Sequence, residues 1–392
     1  MGETTPPTTE PPPLGLYVHL PWCVRKCPYC DFNSHALRGE LPSDDYVDAL
    51  LRDLDYEAAS AEGRPVETVF FGGGTPSLFP AEAIARFMDG LRARVPLAAD
   101  AEITLEANPG AFEQARFEGF RAAGINRLSI GVQSFHGEQL HALGRVHGAE
   151  EALGAVAAAR AAGFDNINLD LMYALPGQNR AQALADVEQA IALAPEHLSH
   201  YQLTLEPGTA FAARPPRLPD PDEAWAIQEA CQARLAEAGY QHYEISAYAR
   251  PGRRARHNLN YWLFGDYLAV GAGAHGKLSD AGSERITRRT RLRLPRAWQQ
   301  AAGGPQALAE EREVSREDRV LEFMLNALRL TEGFPRELML ARTGLASEDF
   351  AAPLAQARAR GWLAIENGHI RPTTEGLNWL NDLQALFLPR QP

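Results

Sequence analysis

Three of the four cysteines lie within one short segment, in a spacing that suits an iron–sulfur cluster. Cys23, Cys27 and Cys30 form a CxxxCxxC pattern in WCVRKCPYC, and Cys231 stands alone. Thiolates are the usual ligands of such clusters, and four of them saturate a [4Fe-4S] cube. Three thiolates leave one iron with an open position, as a ligand-binding metal centre requires. The spacing therefore predicts a [4Fe-4S] cluster with one iron free for a ligand.

A structural zinc site is the alternative for the same cysteines. Zinc usually takes four ligands, commonly as two CxxC-type pairs, and the sequence contains no second pair. His19 or His35 could supply a fourth ligand, so the zinc alternative stays open at this stage. A disulfide-stapled secreted domain is excluded, because such domains are small and rich in cysteine. The clustering instead indicates metal binding in a reducing compartment.

The other candidates for chemistry follow short apolar segments. GGG and Thr75-Pro76 follow ETVFF, and glycines expose backbone groups where a ligand must approach closely. Glu106, Gln133 and Asp170 are placed at the ends of the third, fourth and fifth predicted strands. The sequence thus predicts a single edge at which cysteines, glycines and polar side chains meet.

The elements that must position these residues are strands alternating with amphipathic, Ala-rich helices. This alternation implies βα units and a parallel sheet. The strands are nearly continuous apolar runs, as expected when both faces of a sheet are covered. Six or more such units predict an α/β fold with a full or partial (β/α) barrel over residues 14–250. In such barrels the chemistry lies at the carboxyl ends of the strands, where the candidate residues are placed.

The remainder of the chain divides into three further segments. Residues 1–13 are rich in Pro and Thr and are predicted to form a disordered tail. Residues 251–315 are a connecting segment in which the Arg-rich stretch 285–296 is predicted to be exposed. Residues 316–392 contain helical patterns and a β-hairpin that turns at Asn367-Gly368. This combination predicts a small winged-helix-like α+β domain.

Charge and hydropathy limit the classes of partner. The formal net charge is −12 over 392 residues, whereas nucleic-acid binding usually needs a basic surface, so no nucleic-acid partner is expected. No charged-then-apolar leader is present, and no segment is apolar and long enough to span a bilayer. We expect a cytoplasmic protein and leave peripheral membrane association open.

The cysteine spacing, together with the glycine tract after the second strand, resembles the radical S-adenosylmethionine superfamily. This resemblance implies that the open iron chelates the amino and carboxylate groups of the methionine moiety. It also implies that the strand end at Gly73 and Gly74 hydrogen-bonds the methionine amino group. The expected fold is then a partial (β/α) barrel of the radical SAM type with the small C-terminal domain.

The ordered chain further resembles the family of oxygen-independent coproporphyrinogen III oxidases and their relatives. The blocks that carry the resemblance are LYVHLPWC, FFGGGTPS, EANPG, INRLSIGVQSF, LGRVH, INLDLMYALPGQ and YQLTLEPGT, in the family's order. Carried over by position, the resemblance implies S-adenosylmethionine contacts at Tyr17, Tyr29, Gly73, Gly74, Thr75, Glu106, Gln133, Arg145 and Asp170. Taken singly, Glu106 and Asp170 could instead cap helices, and Arg145 could be a surface ion-pair partner.

Two features separate this chain from the true oxidases. Those oxidases carry a further cysteine two positions after the third motif cysteine, where this chain has Phe32, and they have a longer ordered N-terminal extension. Both differences resemble the HemW-type haem chaperones. RHNLNYW matches the HNxxYW pattern of that group, which implies haem contacts at His257, Asn258, Tyr261 and Trp262. A His can ligate iron, and aromatic rings can stack on a porphyrin. His257 could equally be a structural histidine.

The resemblance favours one function and leaves two rivals. The favoured function is a chaperone that binds haem and delivers it to haem-requiring acceptors, such as a membrane respiratory enzyme, on a scaffold holding the cluster and S-adenosylmethionine. A homodimer is left open. The first rival is the radical SAM oxidase of porphyrin biosynthesis, against which Phe32 and the short N-terminal segment argue. The second is an RNA-modifying radical enzyme, which the acidic charge disfavours.

Overall fold

The computed structural model describes residues 11–110, 114–280 and 285–389. The predicted disordered tail lies outside the described residues except for residues 11–13, which carry no regular structure. No helix in the described ranges combines the length and the apolar character that a bilayer crossing needs.

The main sheet is open and mixed. Its parallel strands are β1 (Leu14–Leu20), β4 (Val66–Gly73), β5 (Leu97–Ala107), β6 (Arg127–Gln133), β7 (Ile167–Tyr173), β8 (His197–Gln202) and β11 (Asp266–Val270). They lie side by side in the order β11-β1-β4-β5-β6-β7-β8. The predicted α/β fold is thereby confirmed, with a parallel sheet that does not close.

Antiparallel strands extend both ends of this sheet. One end carries β10 (Ala247–Ala249) and β9 (Gln241–Glu244), and the other carries β12 (His275–Ser279), β13 (Ile286–Arg291) and β14 (Leu308–Glu313). A separate pair of short strands, β2 (Trp22–Cys23) and β3 (His35–Ala36), brackets the cysteine loop.

The helices between the parallel strands cover the sheet. They are α1 (Ser43–Ala58), α2 (Ala81–Arg92), α3 (Phe117–Ala122), α4 (Gly137–Ala142), α5 (Ala149–Ala161), α6 (Arg180–Ala192), α7 (Ala210–Ala213) and α8 (Pro221–Glu237), with 3-10 turns at Ala59–Ala61 and Pro76–Leu78. Helices α9 (Arg256–Trp262) and α10 (Pro295–Ala301) and the 3-10 turn Pro305–Ala307 belong to the connecting segment. The strands are buried on both faces, as their continuous apolar sequences require.

The C-terminal segment packs around a second hydrophobic core, to which Phe264 and Ile286 of the connecting segment also contribute. It contains α11 (Arg316–Ala327), β15 (Phe334–Pro335), α12 (Glu337–Thr343), α13 (Ser347–Ala359), β16 (Leu363–Glu366), β17 (His369–Pro372), α14 (Thr374–Asn378) and α15 (Leu380–Ala385). Asn367 and Gly368 both adopt positive φ (50° and 77°) between β16 and β17, as a two-residue type I′ turn requires. The helix–strand–helix–helix–hairpin order is that of a winged helix, packed around Phe323, Phe334 and Phe350.

Candidate functional site

The cysteine loop is fastened to the end of the neighbouring parallel strand. Gly74 N–H donates to Leu20 O and Thr75 N–H donates to Trp22 O, both at 2.8 Å, directly before Cys23. A Cβ atom at Gly74 would lie 2.6 Å from Trp22 O, so only glycine allows this approach. The glycine tract therefore sets the position from which the first cysteine side chain projects.

The three cysteines are partly exposed and lie near groups that suit thiolates. Arg145 Nη1 is 3.8 Å from Cys27 Sγ, and Ser34 Oγ is 3.5 Å from Cys30 Sγ. Burial raises the pKa of the Cys23 thiol, and metal coordination would offset this by binding the thiolate. A cationic guanidinium beside soft sulfur donors fits a cluster of iron and sulfide.

The geometry also bears on the zinc alternative. No three His, Cys, Asp or Glu side chains in the described ranges are placed to share one metal ion, whereas the ligands of a cubane each bind a different iron. His19 uses both ring nitrogens: Nδ1 accepts from the Tyr17 hydroxyl and Nε2–H donates to Asn33 O, both at 2.9 Å. His19 is therefore not available as a fourth zinc ligand in this arrangement.

Two acidic residues, Glu106 of β5 and Asp170 of β7, lie close enough to influence each other electrostatically. Gly73 N–H donates to Glu106 Oε2 at 3.3 Å. Burial, reinforced by the nearby Asp170, raises the pKa of Glu106 to about 8. The sequence-based placement of Asp170 at a strand end was wrong: it is the fourth residue of β7, where it accepts hydrogen bonds from Asn168 Nδ2 (2.7 Å) and Ser129 Oγ (3.2 Å). Burial raises its pKa as well.

Arg145 connects the strand ends to the cysteine loop. Its Nη2 donates to Asn108 Oδ1 at 2.6 Å and to Gly131 O at 2.7 Å, while Nη1 faces Cys27. Asn108 also donates from Nδ2 to Thr75 Oγ1 at 3.2 Å. Sequence reasoning missed Asn108, although it stands inside the EANPG block.

The remaining two family positions lie close by. Gln133 ends β6 with a positive φ of 68°, and its Oε1 accepts from the Tyr201 hydroxyl at 2.9 Å. Tyr29 packs against Phe211 with ring centroids 6.4 Å apart, and burial raises its pKa. The structure thus brings the residues predicted for S-adenosylmethionine to one region beside the cysteines.

One cavity of about 750 Å³ opens from this region towards the antiparallel end of the sheet. We call the part lined by Tyr17 of β1, Gly73 of β4 and Glu106 of β5 the inner end, because these three strands are neighbours in the sheet. Aromatic rings also line the cavity, at Phe32, Tyr261, Trp262, Phe264 and Tyr267. Its far wall carries His275, Lys277, Arg288, Thr290 and Arg293. An aromatic space with a cationic wall suits a flat, apolar ligand that carries carboxylates.

The cationic wall is one face of the β12–β13 hairpin. His275 pairs with Thr290 and Lys277 pairs with Arg288 in the antiparallel register, and alternate residues of a strand point to the same face. Sequence reasoning missed this wall because no local motif marks it.

The structure separates the four residues of the HNxxYW motif. Tyr261 and Trp262 line the cavity, whereas His257 and Asn258 do not. His257 is buried, with Nδ1 hydrogen-bonded to Thr68 Oγ1 and Nε2 to the Tyr261 hydroxyl, both at 2.8 Å. Burial lowers its pKa to about 3. In this arrangement His257 positions Tyr261 and has no free nitrogen for a metal.

We expect Glu106→Gln to stabilise the cofactor-free protein near pH 9 and to flatten the pH dependence of its stability. The folded-state pKa of about 8 lies above the ordinary 4.5, so the folded state binds more protons between these values and stability falls as the pH rises through this window. Because Glu106 lines a cavity that opens to solvent, its charge is partly screened, and we expect a gain of about 1–2 kcal/mol. Urea unfolding at several pH values measures it, with the exposed Glu138→Gln as control. Parallel profiles for wild type and Glu106→Gln would contradict the prediction.

Comparison with known proteins places the chain in a family. The model of the Radical SAM superfamily matches residues 17–190, and that of the HemN C-terminal domain matches residues 314–379. The chain is 52% identical to the heme chaperone HemW of Escherichia coli over 377 residues, which are 96% of this chain and 98% of that protein. The chain belongs to the heme chaperone HemW family. Another HemW family member, from Haemophilus influenzae, is 46% identical over 97% of this chain and 99% of its own.

Two further matches broaden the HemW family comparison. The mitochondrial radical S-adenosyl methionine domain-containing protein 1 of Mus musculus is 38% identical over 76% of this chain and 69% of its own. Among solved structures, coproporphyrinogen III oxidase (HemN) from Escherichia coli, described as a radical SAM enzyme, superposes with a TM-score of 0.81 at 27% identity, over 96% of this chain and 90% of that chain. The fold of this HemW family member is therefore that of a radical SAM enzyme over nearly its full length.

Proposed function

We propose that this chain is a haem chaperone that binds haem in the 750 Å³ cavity and delivers it to haem-requiring acceptor proteins. The observation that carries the proposal is the continuity of this cavity. One space is lined at its inner end by the residues expected to hold S-adenosylmethionine and elsewhere by aromatic rings and cations. Its volume lies within the range of sites for small molecules and cofactors.

The cofactors that we assign to the inner end are a [4Fe-4S] cluster and S-adenosylmethionine. Cys23, Cys27 and Cys30 supply three thiolates, and a bound cluster offers its fourth iron to the methionine moiety. The residues assigned to S-adenosylmethionine are Tyr17, Tyr29, Gly73, Gly74, Thr75, Glu106, Gln133, Arg145 and Asp170. Their support is the family resemblance and their position around the cysteine loop.

The haem contacts that we retain from the HNxxYW motif are Tyr261 and Trp262. Both rings line the cavity, and the Trp262 Nε1–H has no hydrogen-bond partner among the described residues. The Arg329 guanidinium carbon lies 4.1 Å from the centroid of the Trp262 ring, over its face, and helps to hold the plane of the ring. We assign His257 and Asn258, which do not line the cavity, to the support of Tyr261 and Trp262, since His257 hydrogen-bonds Tyr261.

The proposed partners follow from the function of a chaperone. The acceptors are haem proteins, among which we include membrane respiratory enzymes, and the protein acts in the cytoplasm or at the membrane surface. Nucleic acid is not a proposed partner. A homodimer would present two such cavities.

The alternative function is that of a coproporphyrinogen III oxidase. The superposition with HemN favours it, because that protein is an enzyme with the same fold. Phe32 stands against it. The residue that replaces the oxidase cysteine is 62% exposed and lines the cavity, where its ring widens the apolar surface offered to a ligand.

The decisive experiment titrates haem into anaerobically reconstituted protein, follows the absorption spectrum, and separately assays 5′-deoxyadenosine release with coproporphyrinogen under reductant. We expect one haem per chain and little coproporphyrinogen-dependent release. Trp262→Ala should weaken haem binding about tenfold, because the loss of a stacked aromatic contact costs up to about 1.4 kcal/mol. Trp379→Ala, an exposed tryptophan of the C-terminal domain, is the matched control. Decarboxylation with no defined haem spectrum would instead establish an oxidase.

A further inference from the structure

We propose that His275 ligates the haem iron and that Arg293 binds a haem propionate. This inference rests on the haem-binding function proposed above and adds the two residues that would set iron coordination and orientation. Neither residue belongs to the HNxxYW motif. Both lie on the wall formed by the β12–β13 hairpin and the residues that follow it.

The case for His275 comes from its ring nitrogens. His19 and His275 are the histidines described at this cavity, and His19 has both nitrogens engaged. His275 makes one hydrogen bond, from Nδ1 to Thr290 Oγ1 at 3.1 Å. When Nδ1–H donates to that hydroxyl, Nε2 carries a free lone pair, and such a bond is the usual way in which a metal-ligating histidine is oriented.

The protonation of His275 is consistent with this role. Burial lowers its pKa, the cationic Arg288 and Arg293 lower it further, and Glu310 opposes them. The imidazole is therefore neutral at neutral pH, as iron ligation requires.

The case for Arg293 comes from comparing the cations of the wall. Lys277 is bound by Asp266 at 3.0 Å, and Arg288 is bound by Glu322 at 2.7 Å. Arg293 forms no ion pair within the described part of the chain, and its side chain is exposed. Its backbone is nevertheless held, because Asn33 Nδ2 donates to Arg293 O at 2.9 Å.

A free guanidinium on a fixed backbone at the end of an aromatic cavity suits a carboxylate. Haem carries its propionates on one edge, so a propionate at Arg293 would leave the apolar edge among Tyr261, Trp262 and Phe264. The two contacts, one from the hairpin and one from directly after it, would then fix both the plane and the direction of the ring.

The first test compares His275→Gly and the exposed His141→Gly in anaerobically reconstituted protein titrated with ferric haem. We expect His275→Gly to bind haem at least tenfold more weakly and to lose the histidine-ligand signature in its absorption and electron paramagnetic resonance spectra. Added imidazole should restore that signature, because it can occupy the position vacated by the side chain. His141→Gly should match wild type. A wild-type spectrum and affinity in His275→Gly would overturn the ligand assignment.

The second test uses haem and its dimethyl ester, which lacks propionate charge. We expect Arg293→Ala to bind haem about tenfold more weakly than wild type does. We expect the variant and wild type to bind the ester with the same affinity. Equal loss for both ligands, or for neither, would overturn the propionate assignment. Failure of the wild-type chain to bind haem would overturn the proposed function itself, whereas intact wild-type binding with unaffected variants would overturn this inference alone.

Discussion

Cys23→Ser, Cys27→Ser and Cys30→Ser are each expected to abolish the [4Fe-4S] cluster. Three thiolates are the smallest set that holds a cube with one open iron, and loss of any one leaves two irons without a protein ligand. Serine preserves the size of the side chain but replaces a soft sulfur donor with a poor ligand for iron. Iron and sulfide content and the visible absorption of reconstituted protein should fall to near zero.

Cys231→Ser is the matched control for this series. Cys231 is fully buried in α8, within the main hydrophobic core and away from the cysteine loop, so its replacement should leave the cluster content unchanged. Wild-type iron and sulfide in any of the three loop variants would refute the cluster assignment. Loss of cluster in Cys231→Ser would show that these substitutions act through the fold instead.

Local sequence signals predicted the parallel part of the fold. Each apolar run over residues 14–202 became a strand of the central sheet, since burial on both faces demands such runs. The hairpin at Asn367-Gly368 was also confirmed, because few residue pairs adopt two successive positive φ angles.

The antiparallel ends of the sheet were beyond the reach of local patterns. The Arg-rich stretch 285–296 was predicted to be exposed, and this prediction was wrong for Arg291, which is 1% exposed. Burying an arginine costs too much free energy unless carboxylates pair with it. The partners of Arg291 are Asp53 and Glu57, which stand more than 230 residues earlier in the chain. No local pattern reports a pairing at that distance.

The residues of the candidate site also fall into two groups, those that sequence motifs located and those that no motif marked. Family blocks located the residues around the cysteine loop, because those residues stand beside recognisable motifs. His275, Arg288 and Arg293 had no such marker, and they share a cavity only because β12 and β13 pair in register and meet the strand ends. The HNxxYW motif pointed to this cavity, but only Tyr261 and Trp262 line it.

A buried ion pair on the other face of the cationic wall connects the β12–β13 hairpin to helix α1. Arg288 and Thr290 of β13 face the cavity, whereas Arg291 faces α1. Arg291 Nε donates to both carboxylate oxygens of Asp53 at 3.0 Å, and its Nη2 donates to Glu57 at 2.6 Å. Asp53 also accepts from Gly271 N–H and from the Trp298 indole, both at 3.2 Å. One carboxylate thus joins α1 to three segments of the connecting region.

Asp53→Ala is therefore expected to destabilise the protein by about 3–5 kcal/mol. It leaves Glu57 as the one carboxylate partner of the buried Arg291 among the described residues, and it leaves the Gly271 N–H and the Trp298 indole N–H without their acceptor. Asp48→Ala, on the same helix, removes an exposed partner of Arg86 and should cost less than about 1 kcal/mol. Urea unfolding of the two variants measures both values.

Since the lost contacts hold the hairpin that carries His275, Asp53→Ala should also weaken haem binding at concentrations of urea too low to unfold wild type. Equal stability of the two variants would show that α1 does not hold the cavity wall in place.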